Sequence, residues 1–323
     1  MYLQDELALT ENLRLTGGLR FELPTYPSLD NNYNPEFAKM EFGGQKFSTD
    51  QLPNSKISVS PRVGFNWDIT GERKYVLRGG TGVFVGRMPM VWLVSAVSNS
   101  GVGQTTYSYY NPKTTNPKYT TLFHDNREDI LKDLYKGQSY SNVSVPEAPT
   151  IIDKNLKMPS TWKTSLAFDV KLPGDVDFSI EGIYNRDFNP VVISNPNYKL
   201  SDTRLTLSPN DVRDTYTQYV EGNQNVFLLE NWKKKGAYYY SISAQVRKAF
   251  DFGLNLSLAY THSKSRAYSD GIGDVVASAY KTNTASRNGV NNHELGYGTF
   301  VAPDRILATL GYKKEYGKHF ATS

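Results

Sequence analysis

The chain has 323 residues, a net charge of +4 and no cysteine. Without cysteine there is neither a disulfide framework nor a thiolate metal site, and Lys and Arg scattered along the chain leave no basic footprint for nucleic acid. Apolar residues make up 39% and mean hydropathy is −0.51, low for an ordinary packed core, while 23 tyrosines supply rings suited to half-wet positions.

No run approaches the roughly 18 apolar residues that a membrane helix needs; the oiliest stretch is MPMVWLV at 88–94. The opening MYLQDELALT lacks a basic segment followed by an apolar one, so it does not read as an export signal.

In chain order, LRLTGGLRFEL puts Leu13, Leu15, Leu19, Phe21 and Leu23 on one parity and Arg14, Thr16, Arg20 and Glu22 on the other. ISVSPRVGFNWDI does the same with Ile57, Val59, Val63, Phe65, Trp67 and Ile69 against Ser58, Ser60, Arg62, Asn66 and Asp68. A strand sends alternate side chains to opposite faces, so each segment predicts a long strand with one oily and one wet face. STWKTSLAFDV, DVDFSIEGIYN, YYYSISAQVRKAF, LNLSLAYTHSKS and DRILATLGYKKEY continue the pattern, for about nine or ten strands in all.

Tight turns at 10–12, 70–73, 172–175 and 250–253 carry Gly, Asn, Asp and Pro. The remaining connections, near 24–56, 87–158, 188–235 and 267–298, are long and alternate with the short ones. Loops beyond about 15 residues are uncommon in compact domains. An antiparallel up-and-down transmembrane β-barrel explains both features. Its strands meet lipid on one face and water on the other, and its turns are short at one end and long at the other. A soluble β-sandwich is the competing architecture, but its strands average about five or six residues. The fold class expected is therefore all-β, a partial barrel of nine or ten strands with long extracellular loops. HDNREDILKDLYKG at 124–137 reads as one short helix within the longest loop.

Little in the sequence carries bond-breaking chemistry. His124, His262, His293 and His319 have no metal-pair spacing. HDNRED at 124–129 and SDGIGD at 269–274 lack the ligand order of a calcium loop and read as a solvated helix start and a loop tip. RGGTGVFVG at 78–86 lies inside a strand, so its glycines make room for a plug or for close side chains and do not cradle phosphate. No nucleophile elbow stands out. No catalytic residue, metal site or cofactor is expected.

Aromatic residues are the candidates that remain. Trp67, Trp162 and Tyr238, Tyr239 and Tyr240 sit at predicted strand ends, where Trp and Tyr form interfacial girdles. Trp92, Tyr107, Tyr109 and Tyr110 fall in the longest connection and are candidate ligand contacts.

The series SPRVGFNWDITGERKYVLRGGTGVFVGRMPMVWL (60–93), LRLTGGLRFELP (13–24), DFSIEGIYNRD (177–187), YYYSISAQVRKAFDFGLNLSLAYTHSKS (238–265) and DRILATLGYKKEYGKHFATS (304–323) resembles the barrel of TonB-dependent outer-membrane receptors of the Oar-like branch. That resemblance implies a place in the outer membrane of a Gram-negative cell, with lipid around the barrel. It also implies a plug domain, an inner-membrane TonB complex and an extracellular ligand as partners. Such receptors have about 22 strands around a plugged lumen. Residues 1–323 supply fewer than half of these strands and neither plug nor TonB box, and KHFATS reads as a turn, so a fragment of one barrel domain is expected. Energised uptake is the function implied. A surface adhesion or secretion barrel and a passive porin are the alternatives.

Overall fold

The computed structural model describes residues 1–323 except 104–124, 130–144, 147, 222–224, 235, 269–274, 283–288, 290, 299, 317–319 and 323. β1 (Tyr2–Thr10) and β2 (Leu13–Glu22) form the first hairpin. A connection with the short helix α1 (Pro35–Ala38) leads to β3 (Ser58–Asp68) and β4 (Tyr75–Val85). The next connection carries α2 (Met90–Ser98) and β5 (Thr150–Ile152) and ends at β6 (Ser160–Leu172) and β7 (Val176–Phe188). β8 (Val191–Ser194), the hairpin of β9 (Tyr198–Ser208) with β10 (Asp211–Gln218), and β11 (Phe227–Asn231) follow. β12 (Tyr238–Ala249) and β13 (Leu254–Ala267) form a hairpin. Then come α3 (Val276–Thr282), β14 (Gly296–Tyr297), β15 (Asp304–Tyr312) and the pair β16 (Lys314–Tyr316) and β17 (Phe320–Thr322).

Ten strands make one open antiparallel sheet in the order β1-β2-β3-β4-β6-β7-β12-β13, with β14 and β15 both paired to β13. From β2 to β15 the register runs without a shift, and β6–β7 alone pairs every residue from Ser160↔Phe188 to Leu172↔Val176. Continuous register keeps each parity on one face. One row across the sheet reads Leu15, Phe65, Gly79, Leu166, Gly182, Ile242, His262, and these side chains point outward. The neighbouring parity, with Arg78, Asp169, Ser179, Gln245 and Arg247, faces the concave side.

The outward face is apolar and uncovered: Val63 is 59% exposed, Leu258 55%, Ile306 74% and Leu310 72%. Lipid takes the place of a core on this face. The buried apolar residues lie elsewhere, mostly in the long connections.

The short turns hold as their residues demand. Gly174 and Asp175 take φ of +78° and 55°, the left-handed pair of a tight hairpin. In the first turn, Thr10 Oγ1 accepts from the backbone N–H of Leu13 at 3.0 Å. One sequence reading is corrected: Phe320–Thr322 within KHFATS is not a turn but a strand paired with β16. The long 188–235 connection contains β8 to β11. Of the helix expected at 124–137, only 125–129 lie among the described residues, and 127–129 are helical.

The glycines of RGGTGVFVG admit close neighbours. A Cβ on Gly79 would lie 2.9 Å from Phe65 Cε1 and 2.9 Å from the Ser165 carbonyl oxygen, while Gly182 on the same face has open space. Gly79→Val should therefore cost about 1–3 kcal/mol by overpacking. Gly182→Ala should be neutral or stabilising by up to about 1 kcal/mol. Urea unfolding of the two variants in detergent micelles or vesicles checks the contrast.

Candidate functional site

The long connections fold back over one end of the sheet as a layer. Its centre is a three-stranded sheet in the order β5-β11-β8, in which β5 and β11 run parallel. These strands come from short, largely apolar runs, TII, VFLL and VVIS, the pattern of a strand buried on both faces. Phe227 and Leu229 point into one cluster with Trp92, Leu93 and Tyr280. Val226 and Leu228 point into another with Phe37 and Phe42. A third cluster joins Val192, Ala237 and Tyr268, with Trp232 and Leu295 packed against it.

Asparagine amides tie the layer together. An amide presents a donor and an acceptor side by side and so stands in for a peptide group. Asn34, fully buried, accepts from the backbone N–H groups of Glu36 and Phe37, both at 3.0 Å, and donates to the Ser100 carbonyl at 2.9 Å. Asn231 accepts from Lys157 N at 2.6 Å and donates to the carbonyls of Lys157 and Asn189 at 2.9 and 3.0 Å. Asn291 exchanges two bonds of 2.7 Å with the backbone of Asn195. Asn197 does the same with Val220 at 2.8 and 3.0 Å. Each clamp joins segments far apart in sequence.

Two titratable groups in the layer are perturbed by burial. The His293 imidazole stands edge-on to Trp232, with ring centroids 4.9 Å apart, and burial lowers its pKa to about 4. Burial raises the Glu230 carboxyl, partly offset by the hydrogen bond from Ser194.

Beneath the layer, at the strand ends, lies a cavity of about 260 Å³ walled by Met88, Trp92, Phe188, Val191 and Tyr268. Its polar wall includes Thr161, whose Oγ1 donates to Asp187 Oδ1 at 2.8 Å. On the concave face below, a hollow of about 590 Å³ is lined by Arg20, Arg62, Phe84, Lys163 and Tyr239. The Arg62 guanidinium lies 4.3 Å from the Phe84 ring centroid and Lys163 Nζ 5.4 Å. Nearer the short turns, Arg78 Nε donates to Asp169 Oδ2 at 2.9 Å, and Ser179 donates to the other carboxylate oxygen at 2.5 Å.

Trp92 is 5% exposed on α2 and belongs to the layer's core. Tyr107, Tyr109 and Tyr110 lie outside the described residues. Trp67 and Trp162 point outward, 41% and 38% exposed. Trp162 Nε1 donates to Thr81 Oγ1 at 2.7 Å, and its ring meets Tyr184 edge-on at 6.0 Å. Tyr238 and Tyr240 stack on that same face, with centroids 6.3 Å apart and planes 2° apart. Tyr239 does not join them. It lines the concave hollow, because residues one apart in a strand face opposite ways.

Trp67 lies level with Leu77 and Phe168, and Trp162 is six residues further along β6 from Phe168. That separates the two tryptophans by roughly 20 Å along the tilted strands. Sequence reasoning missed Arg62, Phe84 and Lys163 as a group, although their shared polar parity was available. Among the described residues, no three His, Asp or Glu side chains gather to hold a metal ion.

An apolar, uncovered outward face on an unbroken antiparallel sheet is the architecture of a membrane barrel wall. The family model for an outer membrane beta barrel domain matches residues 1–322. The chain belongs to that family. This barrel chain therefore lies in the cell outer membrane. No curated protein matches it. Solved structures with similar folds include the outer membrane transporter YddB from Escherichia coli, at 12% identity and a TM-score of 0.43, with 80% of this chain and 23% of that one covered. The ferric enterobactin receptor PfeA from Pseudomonas aeruginosa is similar at 13% and 0.43, with coverage of 81% and 26%. The FrpB iron transporter from Neisseria meningitidis is similar at 11% and 0.41, with coverage of 82% and 25%. The chain thus spans about a quarter of the length of these solved proteins.

The loop layer depends on its clamps and on neutral His293. Asn34→Ala removes three buried hydrogen bonds and should cost about 2–4 kcal/mol, seen as faster proteolysis within the long connections while the strands stay protected. Between pH 6.5 and about 4, the unfolded chain takes up a proton at His293 that the folded chain does not. The contribution of neutral His293 to the layer's stability is therefore complete above pH 6.5 and is lost as pH falls through this window. His293→Phe should flatten that slope, as read by protease protection against pH.

Proposed function

We propose that this chain is part of the barrel of a TonB-dependent receptor of the Oar-like branch, taking up an extracellular ligand with energy from the inner membrane. In this reading residues 1–323 are one stretch of a single barrel domain. A plug from another part of the same protein fills the concave side, and the TonB complex acts through it. The long connections face the cell exterior. Tyr107, Tyr109 and Tyr110 are the ligand-contact candidates, and Trp92 acts from inside the layer by holding the connection that carries them. The work is binding and gating, so no bond-breaking group is needed.

The observation that carries the reading is the pairing of a polar concave face with a folded layer over one end of the sheet. The concave face bears Arg20, Arg62 and Lys163 around Phe84 and Tyr239, a surface suited to packing against another polar protein segment. The layer has its own hydrophobic clusters and amide clamps. A wide open pore needs no such ordered cover. The sequence resemblance over nearly all strands and short turns supplies the branch.

The test uses the full-length protein in its own bacterium. Deletion of the gene should abolish growth on one member of a panel of metal chelates, glycans and peptides. A protonophore should stop that uptake in the wild type. Tyr107→Ala/Tyr109→Ala/Tyr110→Ala should lower uptake at least tenfold while leaving the protein in the membrane. Normal uptake with lost surface adhesion would favour a structural barrel. Steady ion conductance of the purified protein in planar bilayers would favour a porin.

A further inference from the structure

One row of paired residues crosses the outward face as Val83, Trp162, Arg186, Tyr238, Arg266, Tyr297. It begins apolar and ends cationic. Barrel strands tilt by about 35–45°, so such a row changes height by roughly 3 Å with each strand. The row therefore leaves the hydrocarbon between Val83 and Arg186, and the aromatic rim at Trp162 marks that level. Lys264 lies two residues before Arg266 on the same face, beside Tyr240.

Arg186, Lys264 and Arg266 thus stand together at the lipid boundary. Strand spacing puts Arg186 and Arg266 roughly 10 Å apart, and Lys264 roughly 7 Å from Arg266. Among the described residues none of the three pairs with a carboxylate. Asp304, the outward carboxylate opposite His262, is already engaged. It accepts from the Tyr260 hydroxyl at 2.6 Å and lies 2.9 Å from His262 Nδ1. Arg266 is held in place, with its guanidinium 3.6 Å from the Tyr297 ring centroid and Nη1 3.5 Å from the Leu295 carbonyl. Tyr238 lies between Arg186 and Arg266 in the row and stacks on Tyr240, the partner of Lys264.

A single lysine at a membrane rim needs no partner, since its stem lies along the lipid and its head reaches water. Three unpaired cations beside stacked rings, one of them fixed by its ring, make a different object. Guanidinium groups match phosphate oxygens in pairs, and flat rings suit the sugar or acyl portion beside such a group. We propose that Arg186, Lys264 and Arg266, with Tyr238, Tyr240 and Tyr297, form a lipid-facing site for the phosphate of an anionic glycolipid headgroup in the leaflet on the long-connection side. The site lies on the wall, away from the concave face and the layer. It rests on the lipid-facing reading of the sheet and not on which ligand is transported.

The test is native mass spectrometry of the full-length protein in mild detergent, with lipid A and dephosphorylated lipid A as probes. Wild type should retain lipid A, and Arg186→Gln/Lys264→Gln/Arg266→Gln should bind it at least tenfold more weakly. Dephosphorylated lipid A should bind wild type no better than lipid A binds that variant. Arg186→Lys/Arg266→Lys, which keeps the charge but loses the paired guanidinium contacts, should bind lipid A more weakly than wild type and more tightly than the triple glutamine variant. Heat-dependent gel mobility confirms that each variant is folded; if the triple variant is not, Lys264→Gln alone should still weaken binding at least threefold. Equal retention by wild type and folded variants would overturn the site. Displacement of lipid A by millimolar inorganic phosphate would overturn the headgroup as its occupant. A failed uptake model would leave this measurement unaffected, because retention in detergent requires neither plug nor TonB complex.

Discussion

Backbone groups in hydrocarbon have no water to bond, so every one must be paired within the sheet. The rest of this structure depends on that constraint. Register is unbroken from β2 to β15, through every central pair of strands. Register shifts occur at the rim, between Ala8 and Thr10 of β1, and in the β9–β10 hairpin outside the main sheet. A bulge at the centre would leave a polar group unpaired in lipid and would also exchange the two faces beyond it. The alternation of Leu, Val and Phe with Arg, Ser and Asp is useful only because the ladder preserves it from strand to strand.

The long connections obey a different rule. They stand outside the hydrocarbon and fold by ordinary burial, around clusters that include Trp92, Ile152, Phe227 and Leu229. Irregular backbone within such a core leaves peptide groups unmatched, and side-chain amides match them. Asn34, Asn197, Asn231 and Asn291 do this here, each bridging segments that are distant in the chain. The same burial keeps His293 neutral. One chain thus carries two solvents' worth of design, with lipid replacing the core along the wall and a protein core above it.

The concave face combines these demands. Ion pairs such as Arg78 with Asp169 brace its short-turn end, while Arg62 and Lys163 flank Phe84 further up. Charges on this side cost little where water or another polar segment can reach them. On the outward side, cations gather where the tilted rows leave the hydrocarbon. The difference between the two faces is one residue of parity, as Tyr239 and its stacked neighbours Tyr238 and Tyr240 show.

The sequence by itself determined the wall: strand number, the oily and wet parities, the short turns and the alternation of short with long connections. These are local properties, carried by a period of two and by turn residues such as Gly174 and Asp175. Tyr239's place on the concave face was also legible from parity, although proximity to Tyr238 and Tyr240 suggested otherwise. The tertiary structure decided the layer. TII, VFLL and VVIS are too short to announce themselves as a sheet, and the parallel pairing of β5 with β11 joins residues far apart in the chain. It also decided which cations share a corner, because Arg186 and Arg266 are neighbours only through Tyr238 of the strand between them. Local periodicity fixes faces; long-range pairing fixes neighbours, and a site is made of neighbours.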